Sequence, residues 1–167
     1  MKREILFRAQ ATNRLPGREY RSSYHNGDWV YGYISKVDAD RNIAEMTDIN
    51  GIEGIEVNFC TAGQFTGMYD QERNRIFEGD ILRVKTVEFE EEENPVFNCK
   101  MKVPTGEKVI RHWAVEWASH LCSGAGWFVY GKDRRFHRPL SRSCLMNRDA
   151  VVAGNIYEHP FIMEVSR

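Results

Sequence analysis

The 167-residue chain carries almost no net charge, −1 at neutral pH from 23 basic and 24 acidic residues. That balance removes the overall electrostatic pull toward nucleic acid. No apolar run approaches the ~20 residues that span a bilayer. The start, "MKREILFRAQ", has only Ile5 to Phe7 as an apolar stretch, with Arg8 directly behind it. We therefore expect no secretory signal, no membrane partner and a cytoplasmic location. The four cysteines, Cys60, Cys99, Cys122 and Cys144, lack the short spacings of a zinc knuckle or a dithiol motif. They read as reduced, buried small hydrophobes.

Catalytic signatures are missing as well. No Gly-x-Ser-x-Gly elbow exists, Cys122 in "HLCSGAGW" lacks a catalytic context, and its "GAG" lacks the strand–turn–helix setting of a phosphate loop. His25, His112, His120, His137 and His159 form no cluster of metal-ligand spacing. His120 could meet His112 and Cys122 in space. His112, opposite Trp113, Val115 and Trp117 and on the face of Glu116, reads instead as a solvated strand residue. No catalytic residue, metal or cofactor is expected.

Long helical periodicity is also absent, and what replaces it is alternation. Trp29, Tyr31 and Tyr33 alternate with Val30, Gly32 and Ile34 in "WVYGYI", a period-two pattern that predicts a strand. "IEVNF" at 55–59, "ILRVKTVEF" at 81–89 and "GWFVYG" at 126–131 predict others. Asn26-Gly27 and Asn50-Gly51 are turn dipeptides that tolerate positive φ. "FNCKMKV" (97–103) and "KVIRHWAVEW" (108–117) flank Pro104-Thr105-Gly106-Glu107, which predicts a hairpin loop there. The one weak helical candidate is "SCLMNRDAV", 143–151. Strands at this spacing predict an all-β protein. Trp29, Trp113, Trp117 and Trp127 read as core anchors.

The charges are segregated. Lys2, Arg3, Arg8, Arg14, Arg18 and Arg21 make the start basic, "EFEEEEN" at 88–94 is acidic, and "GKDRRFHRPLSRSCLMNR" at 131–148 is basic again. The acidic run reads as a solvated loop or hairpin tip. Lys132, Arg134, Arg135, Arg138, Arg142 and Arg148, with Phe136 among them, are candidates for following a phosphate backbone while an aromatic ring stacks a base. Alternatively this segment meets the 88–93 acids, in its own chain or a neighbour. Complementary patches of this kind steer like chains together, so a homo-oligomer is expected.

"GQFTGMYDQERNRIFEGDIL", 63–82, resembles the signature of the YopX-like phage and prophage family, with its Gln-aromatic-Thr-Gly segment, Asp, polar turn and Ile-aromatic-Glu-Gly-Asp-Ile strand start. "ILFRAQ", "WVYGYI", "AVEW", "GWFV" and "AGNIYEHP" resemble further blocks of it in the same order. Two departures stand out. Glu72-Arg73-Asn74-Arg75 occupies a turn where the family commonly has Asn-Gly, which predicts a looser hairpin, and the insert 88–112 is long. The resemblance implies a phage-associated protein in a bacterial host cell and supplies no catalytic residues. Its motif residues, Thr66, Gly67, Asp70, Glu78, Gly79, Asp80, Gly154, Asn155 and Tyr157, read as structural.

Asp70, Glu78 and Asp80 admit a second reading, since three carboxylates around two turns could gather a divalent cation. Against it, Asp70 caps a turn and Glu78-Gly79-Asp80 opens a strand in the manner of SH3-like barrels. We therefore expect a barrel-like β-rich part, 1–79, packed on an SH3-like barrel, 80–167. The leading functional expectation is a non-enzymatic accessory protein that forms a homo-oligomer and binds a partner. A nucleic-acid-binding module using 132–148 and the N-terminal arginines is the alternative, and a metal-dependent hydrolase the third.

Overall fold

The computed structural model describes residues 5–12, 24–94, 99–120, 124–132 and 137–164. These form eleven strands, one short α-helix and two 3-10 turns. The strands are β1 (Phe7–Gln10), β2 (Trp29–Asp38), β3 (Ile43–Asp48), β4 (Ile55–Asn58), β5 (Gly63–Tyr69), β6 (Arg75–Phe77), β7 (Asp80–Asn94), β8 (Cys99–His120), β9 (Gly124–Tyr130), β10 (His137–Pro139) and β11 (Val151–Asn155). The helix α1 spans Arg142–Met146. None of the described helices is long and apolar enough to cross a membrane.

The chain divides into two compact units, Met1–Met68 with Arg75–Glu78, and Tyr69–Asn74 with Gly79–Arg167. The first carries a six-stranded sheet in the order β4-β3-β2-β1-β5-β6. Its strands alternate as their sequences predict. Ala9, Ala11, Val30, Ala44, Met46, Ile55 and Val57 form one buried face. On the other face Leu6, Phe65 and Phe77 cluster, and Arg8 lies buried beside them with its guanidinium 4.8 Å from the Trp29 ring and 5.0 Å from the Phe77 ring. Flat, weakly hydrated guanidinium stacks on aromatic faces, which is how an arginine is tolerated in this core. Arg8 is thus withdrawn from any phosphate-binding role, while Lys2, Arg3, Arg14, Arg18 and Arg21 lie outside the described residues.

The turn after β3 is held by Asp48, 2% exposed. Its Oδ1 accepts the N–H groups of Asn50 and Ile52, at 2.9 and 2.8 Å. Its Oδ2 accepts from the Asn50 amide (3.2 Å) and the Tyr24 hydroxyl (3.0 Å). Burial works to raise the Asp48 pKa, and these hydrogen bonds outweigh it and leave it below the ordinary carboxylate value. Burial, together with the bond to Asp48, raises the Tyr24 hydroxyl. Gly51 supplies the positive φ (87°) that the Asn50-Gly51 dipeptide predicts.

The second unit carries a five-stranded antiparallel sheet, β10-β9-β8-β7-β11. Val84, Val115, Val129, Leu140, Leu145 and Ala150 are buried in it. The α1 segment has its N-cap at Ser141, whose Oγ accepts the Cys144 N–H at 3.1 Å.

All-β is the class, but neither part is a barrel. In the first sheet β4 and β6 are edges, and in the second β10 and β11 are. Closure requires the outer strands to pair with each other. The final strand β11 pairs with β7 and ends the sheet instead. An isolated bridge, Ala11 to Val57, with the Thr12 N–H donating to Glu56 O, touches β4 without forming a ladder. The SH3-like and barrel-like expectations are therefore corrected to two open sheets.

The hairpin expected at Pro104–Glu107 is also corrected. Those residues lie inside β8, whose ladder with β7 continues to Asn94↔Cys99. The register steps from Val87↔Lys108 to Phe89↔Pro104, so Thr105, Gly106 and Glu107 bulge opposite Glu88. Gly106 takes φ 82°, and Thr105 Oγ1 donates to Glu88 O and accepts the Glu107 N–H. The turn residues make a bulge, which needs the same positive φ without reversing the chain. Accordingly "EFEEEEN" is strand rather than loop.

Gly32 pairs with Asp48 where β2 lies against β3. A Cβ there would sit 1.9 Å from Thr47 O, a backbone atom that cannot rotate away. Gly32→Ala should destabilise the first unit by at least about 1–3 kcal/mol, read as a lowered denaturation midpoint with native-like far-UV circular dichroism retained at low denaturant.

Candidate functional site

Among the family-like motif residues, Thr66, Asp70 and Asn155 hold backbone with their side chains. Thr66 Oγ1 donates to Ile76 O at 2.8 Å and accepts the Met68 N–H at 3.2 Å, next to Gly67 at φ 82°. Asp70, 7% exposed, repeats the arrangement of Asp48. Its Oδ1 accepts the N–H groups of Glu72 and Asn74, at 2.9 and 2.8 Å. Its Oδ2 accepts from the Asn74 amide at 3.0 Å and the Val152 N–H at 2.9 Å. Arg73 sits at φ 67°. The turn that departs from Asn-Gly is therefore tightly held, because the carboxylate compensates for the residue in the left-handed region.

Gly79 and Gly154 mark where two sequence-distant blocks meet. Gly79, at φ 81°, donates to Val115 O and accepts the Ile156 N–H, both at 2.9 Å. A Cβ on it would lie 3.0 Å from the Tyr157 ring, and one on Gly154 would lie 2.9 Å from the His159 ring. Asp80, 1% exposed, pairs in register with Asn155. Asn155 Oδ1 accepts the N–H groups of Tyr157 and Glu158, and its Nδ2 donates to Glu158 Oε2 at 2.7 Å.

A metal at Asp70 meets a physical objection. A carboxylate offers about four lone-pair positions, and all of those on Asp70 receive protein donors. Among the described residues no group of three His, Cys, Asp or Glu side chains is placed to hold a metal ion.

The basic segment is partly assembled. Arg134, Arg135 and Phe136 lie outside the described residues. Lys132 Nζ donates to Glu164 O at 3.1 Å, and exposed Arg142 begins α1. Arg138 and Arg148 converge on one ring, their guanidinium carbons 5.9 and 5.4 Å from the centroid of Trp113. Register explains the meeting. Arg138 pairs with Val129 and Val129 with Val115, so Arg138 shares the face of Trp113, two residues along β8. Trp113, expected as a core anchor, is half-buried within this patch, and only the alternation Arg111, Trp113, Val115 hints at it in the sequence. Trp117 is no core anchor either. It is 50% exposed, edge-on to the buried Trp127 at 5.0 Å.

On the opposite face His137 Nε2 lies 2.7 Å from Glu116 Oε1. His112 pairs with Arg83 across β7–β8 and is half-buried rather than solvated. Burial, and then the Arg83 charge, push its pKa below the ordinary histidine value. Cys60 is exposed and Cys144 half-buried, so neither is the core hydrophobe expected. Cys122 and the side chains of Cys99 and His120 lie outside what is described.

Beyond the bulge, β7 and β8 continue as a two-stranded ribbon, Phe89↔Pro104 to Asn94↔Cys99. Glu91 faces Lys102 and Glu93 faces Lys100, and Lys100 Nζ reaches Glu91 Oε2 at 3.5 Å. The acids thus find some partners in their own ribbon. Phe89 (56%) and Met101 (45%) are exposed.

Two open sheets, one extended into a two-stranded ribbon and bearing an arginine–tryptophan patch, describe an all-β chain. The sequence matches the family described as YopX protein over residues 19–164, so the chain belongs to the YopX family, as its motifs imply. It matches no curated protein and no solved structure.

Asp70→Ala would strand buried donors and should cost about 2–4 kcal/mol. Magnesium or manganese ions should leave the wild-type melting temperature unchanged in the same assay. His112, with a lowered folded pKa, binds fewer protons folded than unfolded, so its contribution is complete above the ordinary value, about 6.5. That contribution is lost as pH falls through the lowered folded value. Melting temperatures at pH 7.5 and pH 5 should therefore differ more for wild type than for His112→Gln.

Proposed function

We propose that this YopX-family chain is a phage- or prophage-derived accessory protein of the bacterial cytoplasm, acting by assembly with itself and by binding a partner rather than by catalysis. The ribbon is the observation that carries this reading. An isolated two-stranded hairpin is marginal in water, and this one exposes an aromatic and a methionine instead of burying them. Surfaces of that kind are stabilised by a partner. The net charge of −1, split into acidic and basic segments, supports association between like chains.

A second reading has its own support. Arg138 and Arg148 around Trp113 combine cations with an aromatic ring, the pairing that single-stranded nucleic acid uses.

One salt series separates the two readings. Under the first, the purified chain sediments as a defined oligomer whose mass falls toward that of a monomer as salt rises. Under the second, labelled single-stranded DNA or RNA is retained at low salt and lost steeply as salt rises. A monomer at every concentration, retaining no nucleic acid, would refute both.

A further inference from the structure

We propose that the face of the β7–β8 ribbon bearing the odd-numbered residues of β7 packs antiparallel on the same face of a second copy. Val87 and Phe89 meet at its centre, and Arg83 and Lys85 of each chain lie on Glu93 and Glu91 of the other. This rests on the homo-oligomer reading above and names its surface. Alternate residues of a strand share a face, and cross-strand partners stand on it together. Arg83, Lys85, Val87, Phe89, Glu91 and Glu93 therefore form one row, beside the row of their β8 partners from His112 to Lys100. All six are exposed. Val87 is 39% and Phe89 56% exposed, and Ile110, opposite Lys85 in the second row, is 53% exposed. Three large apolar side chains thus adjoin on one open sheet face, the mark of an association surface.

The charges around them select the occupant. Along β7 the row reads two cations, two apolar residues, two carboxylates. Such a row is complementary to its own reverse. A two-fold axis crossing the strands at Glu88, between the two faces, sets Val87 on Phe89, Lys85 on Glu91 and Arg83 on Glu93, each twice. That is the isologous contact of a two-fold dimer, in the aligned packing that two sheet faces adopt. On β8 the same rotation sets Lys108 on Pro104, Lys102 on Ile110 and Lys100 on His112. Burial already holds the His112 pKa below the ordinary histidine value, so neither row sets like charges directly opposite at neutral pH. An apolar centre inside a charged rim results, the arrangement of a protein–protein interface.

A single chain cannot make these pairs, because Lys85 and Glu91 are roughly 20 Å apart along β7. Lys85 Nζ instead meets Asp149 Oδ2 at 3.0 Å, and Glu91 Oε2 meets Lys100 Nζ at 3.5 Å. Both pairs are solvent-exposed and contribute little, and an ammonium or carboxylate group has capacity for a further partner. The even-numbered residues of β7 offer no such row. Val84 is buried there, and Glu88, Glu90 and Glu92 carry one sign.

The test is charge reversal on the full chain, with mass read by light scattering and folding by circular dichroism. Arg83→Glu with Lys85→Glu, and separately Glu91→Lys with Glu93→Lys, should each weaken self-association more than about tenfold, since like charges then face each other. Mixing the two variants should restore an assembled species. So should one chain carrying all four substitutions, because its row is again complementary to its own reverse. Should a charge variant disturb folding, Phe89→Ser, at an exposed position, reads the same surface and should also disperse the assembly. A wild-type oligomer whose mass every variant keeps would overturn this surface and leave the oligomer reading standing. A monomeric wild type would overturn that reading and this one with it. Charge variants that keep their mass but no longer retain single-stranded DNA would assign these cations to nucleic acid, against the proposal.

Discussion

Two buried aspartates hold this fold at its turns. Asp48 and Asp70 each accept two backbone N–H groups, from the second and fourth residues onward, on one oxygen. On the other oxygen each accepts an asparagine amide and one donor from elsewhere in its unit. A carboxylate buried without partners would be costly, but these are saturated, so each becomes a rigid knot. The Tyr24 hydroxyl ties the first knot to the segment before β2, and the Val152 N–H ties the second to β11. Strand order near both turns depends on them, since a turn that slipped by one residue would invert the faces of its strands.

Electrostatics act at a second scale. A chain with almost no net charge places its acids and bases apart, and β7 and β8 carry both far enough that sequence neighbours are not always charge neighbours. Lys100 and Lys102 answer two of the ribbon glutamates, whereas Arg138 and Arg148 gather on Trp113 at the root. Arg8 shows the opposite solution, a buried cation stacked against ring faces. It sits in the first unit's core because Trp29 and Phe77 flank it. The same residue type is thus structural in one unit and surface chemistry in the other, and burial decides which.

Much of the local architecture was legible. The alternation in "WVYGYI" placed β2 and its two faces, and "IEVNF" and "GWFVYG" placed β4 and β9. Asn50-Gly51 marked a turn that is there, and "EGDI" and "GNIYE" marked a family whose model matches residues 19–164. The misleading signals had a common cause. Pro104-Thr105-Gly106-Glu107 has the composition of a hairpin loop, but glycine at positive φ serves a bulge equally well, and Pro104 is tolerated where, among the described residues, only β7 flanks β8. Trp117 has the composition of a core residue, yet its place on the sheet leaves it half exposed. Cys60 and Cys144 misled in the same way: small and apolar, they lie where their local segments put them, exposed and half-buried, rather than where their own preference for burial would.

Backbone periodicity and turn chemistry are local properties, so the sequence by itself determined an all-β chain, most strand positions and faces, and the residues that bend it. Pairing is non-local, and the tertiary structure alone decided it: that β11 joins β7 at an edge instead of closing a barrel, that β7 and β8 run on as a ribbon, and that Arg138 and Arg148 meet at Trp113. Hydrogen bonds between strands satisfy the same backbone groups whichever strand supplies them. Only the packing of whole faces discriminates among partners, and that information is spread over the chain rather than written in any one segment.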